Sequence, residues 1–241
     1  MKQELRTVMA VDTQFQIPPG AADYRVEAEY RFDQDMRLYS MLPHMHLRGK
    51  SFRYDAIYPD GRRETLLDVP RYDFNWQYSY MLAEPKRMPE GTVVRCTATF
   101  DNSADNPANP DPTATVGWGE RTADEMMLGR MEVTREDEDL RLGLPQLRKL
   151  ADGDYEATFV YRAAAGVKTV HLAGSFNDFS ESLNPMQGPD RDGRFTLRLK
   201  LKPGVYEYRY RVDGRRWRSD PGNPEQAGYY RNSVLRVGPK P

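Results

Sequence analysis

The sequence predicts an all-β protein that contains two β-sandwiches. Apolar and polar residues alternate with period two in residues 24–32, 195–201 and 206–212, which is the pattern of strands with one buried face. Turn-forming residues follow such segments, as in the Val-Asp-Gly of residues 212–214. The spacing of a helix occurs only in residues 144–150 and predicts one short helix there.

The chain divides into two parts at a polar, charged segment. Its 241 residues allow one or two domains at roughly 150 residues each. A run of charges at residues 136–139 interrupts the strand pattern, which restarts at Tyr155. We therefore expect a first domain over residues 1–134, a linker over 135–153 and a second domain over 154–241. The alternative is a single domain with a long charged loop.

Composition excludes several classes of protein. The 35 Lys and Arg residues balance 36 Asp and Glu residues, which argues against a nucleic-acid partner bound through an overall basic charge. No apolar run approaches the ~20 residues of a membrane span, and residues 1–10 lack the apolar core of a secretory signal. Cys96 is the only cysteine, so neither an internal disulfide nor a cysteine zinc site is expected.

A pair of histidines within residues 42–50 is the most informative motif. On a strand, His44 and His46 would lie on one face, about 6.5–7 Å apart at ~3.3 Å per residue, and could bind one metal ion. Two surface histidines or a hydrogen-bonded core pair are the alternatives. A third ligand is expected from Asp-Glu-Met-Met at residues 124–127. A carboxylate there would suit zinc or iron, whereas a thioether would favour copper.

Residues 15–131 resemble the C-terminal domain of the copper type II, ascorbate-dependent monooxygenases, which include peptidylglycine alpha-hydroxylating monooxygenase and dopamine beta-monooxygenase. The resemblance lies in residues 44–49 (His-Met-His-Leu-Arg-Gly), 95–97 (Arg-Cys-Thr) and 124–126 (Asp-Glu-Met). It implies a jelly-roll-like β-sandwich and a copper ion that activates dioxygen. The copper ligands and catalytic residues that it implies are His44, His46 and Met126.

The chain departs from this family at several positions. Leu42, Leu128 and Arg130 replace the anchors for a substrate carboxylate, so a peptidylglycine substrate is not expected. Met127 replaces the cysteine that pairs with the equivalent of Cys96, so the resemblance places Cys96 near Met127 without a disulfide. The family's second copper domain has no counterpart in this sequence, which implies an external electron donor or a missing redox domain. Similarity to bacterial versions of the family suggests a periplasmic or secreted protein.

Residues 155–237 resemble the glycogen-binding module of the AMP-activated protein kinase β subunit and the early-set, immunoglobulin-like domains of starch and glycogen enzymes. The resemblance rests on residues 170–179, residues 208–214 and the Asp-Pro pair at 220–221. It implies an immunoglobulin-like β-sandwich that stacks aromatic rings on sugars. A phenylalanine replaces one of the family's two tryptophans and an arginine replaces its lysine. The carbohydrate-binding residues implied by position are Phe179, Arg209, Trp217 and Asn232.

Together these features predict a mononuclear copper-binding oxidoreductase, similar to a monooxygenase, with an appended carbohydrate-binding module. Copper is the expected cofactor, and a polysaccharide or other glycan is the expected partner. The alternative is a non-catalytic protein that binds copper and carbohydrate. A third hypothesis, a purely structural adaptor of two domains, predicts that no copper is retained after dialysis.

Overall fold

The computed structural model describes residues 2–238 and confirms the all-β prediction. Two compact units are present. The N-terminal unit comprises residues 5–136, and the C-terminal unit comprises residues 2–4 and 137–238. The only helix in the described part of the chain is a 3-10 helix at Leu140–Leu142. Within that part, no helix has the length and apolarity that crossing a membrane requires.

The N-terminal unit is a β-sandwich of antiparallel sheets. Its strands are β1 (Arg6–Asp12), β2 (Gln16–Ile17), β3 (Tyr24–Arg31), β4 (Met36–His44), β5 (Gly49–Ile57), β6 (Arg63–Val69), β7 (Tyr80–Met88), β8 (Val93–Phe100), β9 (Val116–Gly117) and β10 (Met127–Arg135). Two four-stranded sheets have the orders β1-β10-β4-β7 and β3-β8-β5-β6, and β2 pairs with β9. Most neighbouring strands are distant in sequence, so the chain crosses repeatedly between the two sheets.

The core of the N-terminal unit follows from alternation along its strands. In β8, every second side chain is fully buried, and those between them are partly exposed. β10 has the same pattern, with Met127 and Met131 buried and Arg130 exposed. Burying a Met, Val or Phe side chain contributes roughly 1.5–3 kcal/mol. The two interior strands therefore contribute much of the stability of this unit.

The C-terminal unit is a second β-sandwich. Its strands are β11 (Gln146–Lys149), β12 (Tyr155–Arg162), β13 (Val170–Gly174), β14 (Arg194–Leu201), β15 (Gly204–Val212), β16 (Arg216–Arg218), β17 (Gln226–Ala227) and β18 (Asn232–Val237). One sheet has the order β11-β12-β14, and the other has the order β13-β15-β18-β17 with β16 paired to β15. Aromatic side chains fill its core. Phe159 packs edge-on against Tyr208 at 5.1 Å, and Tyr161 lies 4.7 Å from Tyr210.

The three period-two segments of the sequence are β3, β14 and β15, which confirms those predictions. The helix predicted at residues 144–150 is wrong, because Gln146–Lys149 forms β11. All four side chains of β11 are exposed, so neither face gives a hydrophobic pattern that the sequence could reveal. Backbone pairing with β12 instead determines its conformation, with Gln146 opposite Thr158.

Residues 135–153, predicted as a linker, contain ordered structure. They include the last residue of β10, the 3-10 helix and β11. The backbone N–H of Asp139 donates to the carbonyl of Pro221 at 3.0 Å. The Asp139 side chain accepts a hydrogen bond from the N–H of Arg141 and so caps the 3-10 helix. This segment is thus joined to the C-terminal unit by hydrogen bonds.

Cys96 occupies a tightly packed position between the two sheets of the N-terminal unit. It is fully buried on β8, and burial raises the pKa of its thiol well above the usual range. Its sulfur lies against Gly129, which is two residues along β10 from Met127 and on the same face. A Cβ atom at residue 129 would overlap the Cys96 sulfur.

We expect Gly129→Ala to lower the free energy of unfolding by about 1–3 kcal/mol, because the added methyl group overpacks the core at Cys96. Urea denaturation measures this change. In a Cys96→Ala background the sulfur is absent, so the same substitution should cost less. A Gly129→Ala protein as stable as wild type would contradict this packing.

Candidate functional site

The histidine pair lies where β4 leads into β5. The sequence predicts both histidines on one strand. This is wrong for His46, because β4 ends at His44 and His46 lies in the connecting loop. The two side chains nevertheless converge, with ring centroids 5.2 Å apart and planes at 84°. His44 is half-buried, and His46 is 5% exposed. The two imidazoles therefore form one cluster at the end of β4.

Hydrogen bonds determine which ring nitrogen of each histidine carries the proton. Nε2 of Gln77 donates to the carbonyl of Phe74, so Oε1 of Gln77 is the atom that faces Nδ1 of His44, at 2.6 Å. Nδ1 of His46 lies 3.0 Å from the backbone carbonyl oxygen of Asp124. Both partners are acceptors, so each Nδ1 donates a hydrogen, and in the neutral form of each ring Nε2 carries the lone pair.

This arrangement suits a metal ion. Metal-bound histidines usually donate their second ring nitrogen to an oxygen, which orients the ring. Two imidazoles that bond one ion at ~2 Å with a tetrahedral angle place their centroids roughly 5 Å apart, in agreement with the observed 5.2 Å. Burial lowers the pKa of His44, which favours the neutral ring that a ligand must be.

Met126 immediately precedes β10, which begins at Met127. In the pairing of β4 with β10, Leu128 is opposite His44. This pairing ends at His44 and Leu128, and neither His46 nor Met126 belongs to it. Alternation buries Met127 and leaves Met126 and Leu128 half-buried on the face that carries His44. The structure thus brings His44 and His46 together, and Met126 lies two residues before Leu128, the partner of His44 on β10.

The carboxylate of Glu125 joins the two segments that carry the predicted ligands. It is fully buried, and its two oxygens accept hydrogen bonds from the backbone N–H groups of His46 at 2.8 Å and Arg48 at 2.6 Å. Burial raises the pKa of Glu125 to about 7, although these N–H groups and the charge of Arg48 favour its ionised form. Glu125 therefore fixes the histidine loop against the start of β10.

Arg48 is the buried cation of this network. It is 1% exposed, and it donates from Nε to Oδ1 of Asn102 and from Nη1 to the carbonyl of Ala123, both at 2.8 Å. Asn102 in turn donates to the carbonyl of Pro18 at 2.9 Å. Burial lowers the pKa of Arg48, and the nearby Glu125 carboxylate opposes that shift. Asn102 escapes the sequence analysis because it lies in a turn-rich loop distant from both motifs.

The donor set at the histidine pair is limited. In residues 2–238 there is no group of three or more His, Cys, Asp or Glu side chains placed to hold a metal ion. His44 and His46 are therefore not part of such a group within the described residues. Imidazole nitrogen suits zinc, copper, iron and nickel, whereas Mg²⁺ and Ca²⁺ prefer oxygen ligands, so two imidazoles favour a metal of the first group.

A second candidate site lies on the outer face of the sheet β13-β15-β18-β17. Alternation along β15 buries Tyr208 and Tyr210 and turns Arg209 and Arg211 outward. Trp217 on β16 is opposite Arg211. The guanidinium carbons of Arg211 and Arg209 lie 5.0 and 5.8 Å from the centroid of the Trp217 ring. Both distances are within cation–π range, so the two arginines help to hold the indole in place.

Asn232 joins this surface through Glu207. Tyr208 pairs with Ser233, so the same register places Arg209 opposite Asn232. Nδ2 of Asn232 donates to Oε2 of Glu207 at 2.7 Å. The role of Glu207 in this surface is not predicted from the sequence, although period-two alternation puts Glu207 on the same face as Arg209.

Phe179 lies in the turn after β13. Its backbone has a φ of 54°, and its N–H donates to the carbonyl of Gly174 at 3.0 Å. This turn is attached to β15, because the N–H of Ser175 donates to the carbonyl of Glu207 at 2.9 Å. No aromatic contact of the Phe179 ring occurs among the described residues. The structure therefore places Phe179 in an adjoining turn and brings together Arg209, Trp217 and Asn232.

Two exposed tyrosines that the sequence analysis misses lie just before β18. Tyr229 is 92% exposed and Tyr230 is 68% exposed, and their rings meet edge to face at 5.3 Å. They follow Gly228, whose φ of 70° forms the turn. Consecutive aromatic residues after a turn glycine were the available signal in the sequence.

Residues 155–237 match the family model for the "Glycogen recognition site of AMP-activated protein kinase". The match confirms the resemblance predicted for this part of the chain, and it includes the surface around Trp217. It supports a carbohydrate-binding module in the C-terminal unit.

Comparison with solved structures finds a similarity to a pullulanase from Bacillus acidopullulyticus. The similarity covers 94% of this chain at 14% identity and a TM-score of 0.29, and the chain spans 32% of the length of that protein. A TM-score this low does not establish a shared fold. No curated protein matches the chain.

We expect Glu125→Gln to destabilise the N-terminal unit by roughly 2–4 kcal/mol. An amide nitrogen would face a backbone N–H, and the buried Arg48 would lose the charge of its carboxylate neighbour. Urea unfolding measures the loss. Glu120→Gln, at an exposed position, is the matched control and should leave stability unchanged. Equal stability of the two variants would mean that Glu125 does not hold the histidine loop.

Proposed function

We propose that the chain binds a glycan through its C-terminal unit. The observation that carries this proposal is the grouping of Arg209, Trp217 and Asn232 on one sheet face, within residues that match a glycogen-recognition model. A sugar ring has an apolar C–H face and a rim of hydroxyls. An aromatic ring suits the first, and amide or guanidinium groups suit the second.

The hydrogen bonds of this surface leave groups available for hydroxyls. Asn232 uses Nδ2 to donate to Glu207, which leaves its carbonyl oxygen as an acceptor at the edge of β18. Tyr229 and Tyr230 add exposed ring surface along the chain from Asn232. An α-glucan of the glycogen type is the ligand that we propose.

Trp217→Ala should raise the dissociation constant for glycogen roughly tenfold or more, because it removes the ring that stacks on the sugar. Affinity electrophoresis in gels that contain glycogen measures the effect. Arg148→Ala on β11, in the other sheet of the sandwich, is the control and should migrate as wild type does. Unchanged retardation of the Trp217→Ala protein would disprove this site.

We also propose that the N-terminal unit binds one copper ion through His44, His46 and Met126. The supporting observation is the fixed tautomer of both histidines. Gln77 and the Asp124 carbonyl each accept from an Nδ1, and both Nε2 lone pairs remain available. A site for a resident metal ion requires this kind of orientation by outer partners.

Oxidoreductase activity is the chemistry that such a site would serve. Copper, when bound, supplies one-electron transfer and reaction with dioxygen. The residues of the chain orient the rings and restrict access to them. The ring of Phe74 packs against His46 at 5.9 Å, whereas His44 is half-buried and open on one side. Electrons for turnover would come from an external donor.

We expect the wild-type chain to retain one copper ion after dialysis, and His44→Ala or His46→Ala to lose it. Met126→Leu removes the soft ligand, so it should weaken Cu(I) binding roughly tenfold or more with a smaller effect on Cu(II). Competition with a Cu(I) chelator measures the affinity. Met9→Leu replaces an exposed thioether and is the control. Equal Cu(I) affinity of Met126→Leu and Met9→Leu would exclude Met126 as a ligand.

Oxygen consumption with ascorbate and copper separates an oxidoreductase from a protein that only binds the metal. An oxidoreductase consumes oxygen faster than free copper does, and His44→Ala abolishes the excess. Copper retention without excess consumption would support the non-catalytic alternative.

A further inference from the structure

The loop between β6 and β7, residues 70–79, displays two aromatic rings beside the histidine pair. Trp76 and Tyr78 are 68% and 60% exposed. Their ring centroids are 6.0 Å apart, and their planes are within 18° of parallel. Large aromatic side chains normally bury most of their area, so a parallel pair at the surface indicates a contact with something outside the chain.

Three side chains fix this loop against the segment that carries the histidines. The Tyr72 hydroxyl donates to the carbonyl of Met45 at 2.6 Å and accepts from its N–H at 3.1 Å. Phe74 packs on His46, and Gln77 accepts from His44. Tyr72, Phe74 and Gln77 therefore anchor the loop, and the exposed rings flank one of these anchors. A ligand would not have to order this loop, which favours binding.

The side chains between the rings favour a sugar as the ligand. Asp73, Asn75, Gln77 and Ser79 alternate in sequence with the aromatic residues of the loop. Asp73 accepts hydrogen bonds from Asn75, so part of this polar set is engaged within the loop. The centre of a protein interface is usually surrounded by further apolar contacts instead. Flat exposed rings in a segment rich in hydrogen-bonding residues match the apolar face and hydroxyl rim of a sugar.

We propose that Trp76 and Tyr78 form a second glycan-binding platform, located in the N-terminal unit. A sugar stacked on these rings would lie next to His44, because Gln77, the residue between them, contacts that histidine. The glycan is then the class of substrate presented to the proposed copper site. This last step rests on the proposed function, whereas glycan binding to the platform does not.

Intrinsic fluorescence of the full chain tests the platform. The chain has three tryptophans, and Trp217→Ala removes the one in the C-terminal site. In that background, titration with maltoheptaose or cellohexaose should quench and blue-shift the emission of the exposed Trp76. Adding Trp76→Phe should abolish the response, because the remaining Trp118 is partly buried in the core.

Affinity electrophoresis gives the second measurement. In the Trp217→Ala background, Trp76→Ala with Tyr78→Ala should weaken binding to the responding polysaccharide at least fivefold. Leu147→Ala, an exposed apolar residue on β11, should have no effect. Absence of any response of Trp76 to both oligosaccharides would overturn the proposal. Loss of self-association in the double variant, with unchanged glycan affinity, would show a protein interface and also overturn it.

Copper loading keeps the two proposals distinguishable. The Trp76→Ala/Tyr78→Ala variant should bind copper as wild type does, because neither ring is a ligand. If the wild-type chain bound no copper, the metal proposal would fail while the fluorescence titration still decided the platform.

Discussion

A buried carboxylate, that of Glu125, sets the geometry of the candidate metal site. It binds the backbone N–H groups of His46 and Arg48, which belong to a segment about eighty residues earlier in the chain. The adjacent Asp124 uses this placement, since its backbone carbonyl orients the ring of His46. A buried carboxylate without such partners would cost several kcal/mol. Asp124 and Glu125 thus contribute a carbonyl and a carboxylate to the hydrogen-bonded cluster around His46.

The sequence predicts the strands well because a half-buried strand has to alternate. It also predicts that His44 and His46 act together, although a strict strand geometry for both is wrong because β4 ends at His44. The protonation of the rings was not predictable. It depends on the orientation of Gln77, in a loop more than thirty residues away, and on a backbone carbonyl that carries no sequence signal. The edge strand β11 could not be predicted for a related reason, since only its backbone pairing with β12 defines it.

In the C-terminal unit, some residues of the candidate binding surface can be predicted from sequence motifs and others cannot. Arg209, Trp217 and Asn232 were placed by resemblance, and the register of β15 with β16 and β18 brings them to one face. The resemblance does not identify Glu207 as part of the site, yet Glu207 connects Asn232 to the turn that carries Phe179. Its role arises from hydrogen bonds among three segments, and a linear motif does not encode such a junction. A sequence motif thus identifies the residues proposed to contact the ligand more readily than the residues that fix their positions.

If one chain has two glycan-binding sites, each site can bind with lower affinity than a single site would need. A single aromatic platform, such as Trp76 with Tyr78, buries little ligand area and on its own would bind weakly. When another site of the same chain already holds the polymer, the second contact becomes intramolecular, and it then depends on an effective concentration instead of on the concentration of free glycan. A weak platform would then be occupied without gaining affinity of its own.

Weak binding beside His44 also has an advantage, because a substrate held too firmly at a reactive centre lowers the rate at which product leaves. The stronger hold on the polymer is therefore expected at Trp217, away from the chemistry, and the weaker one at Trp76.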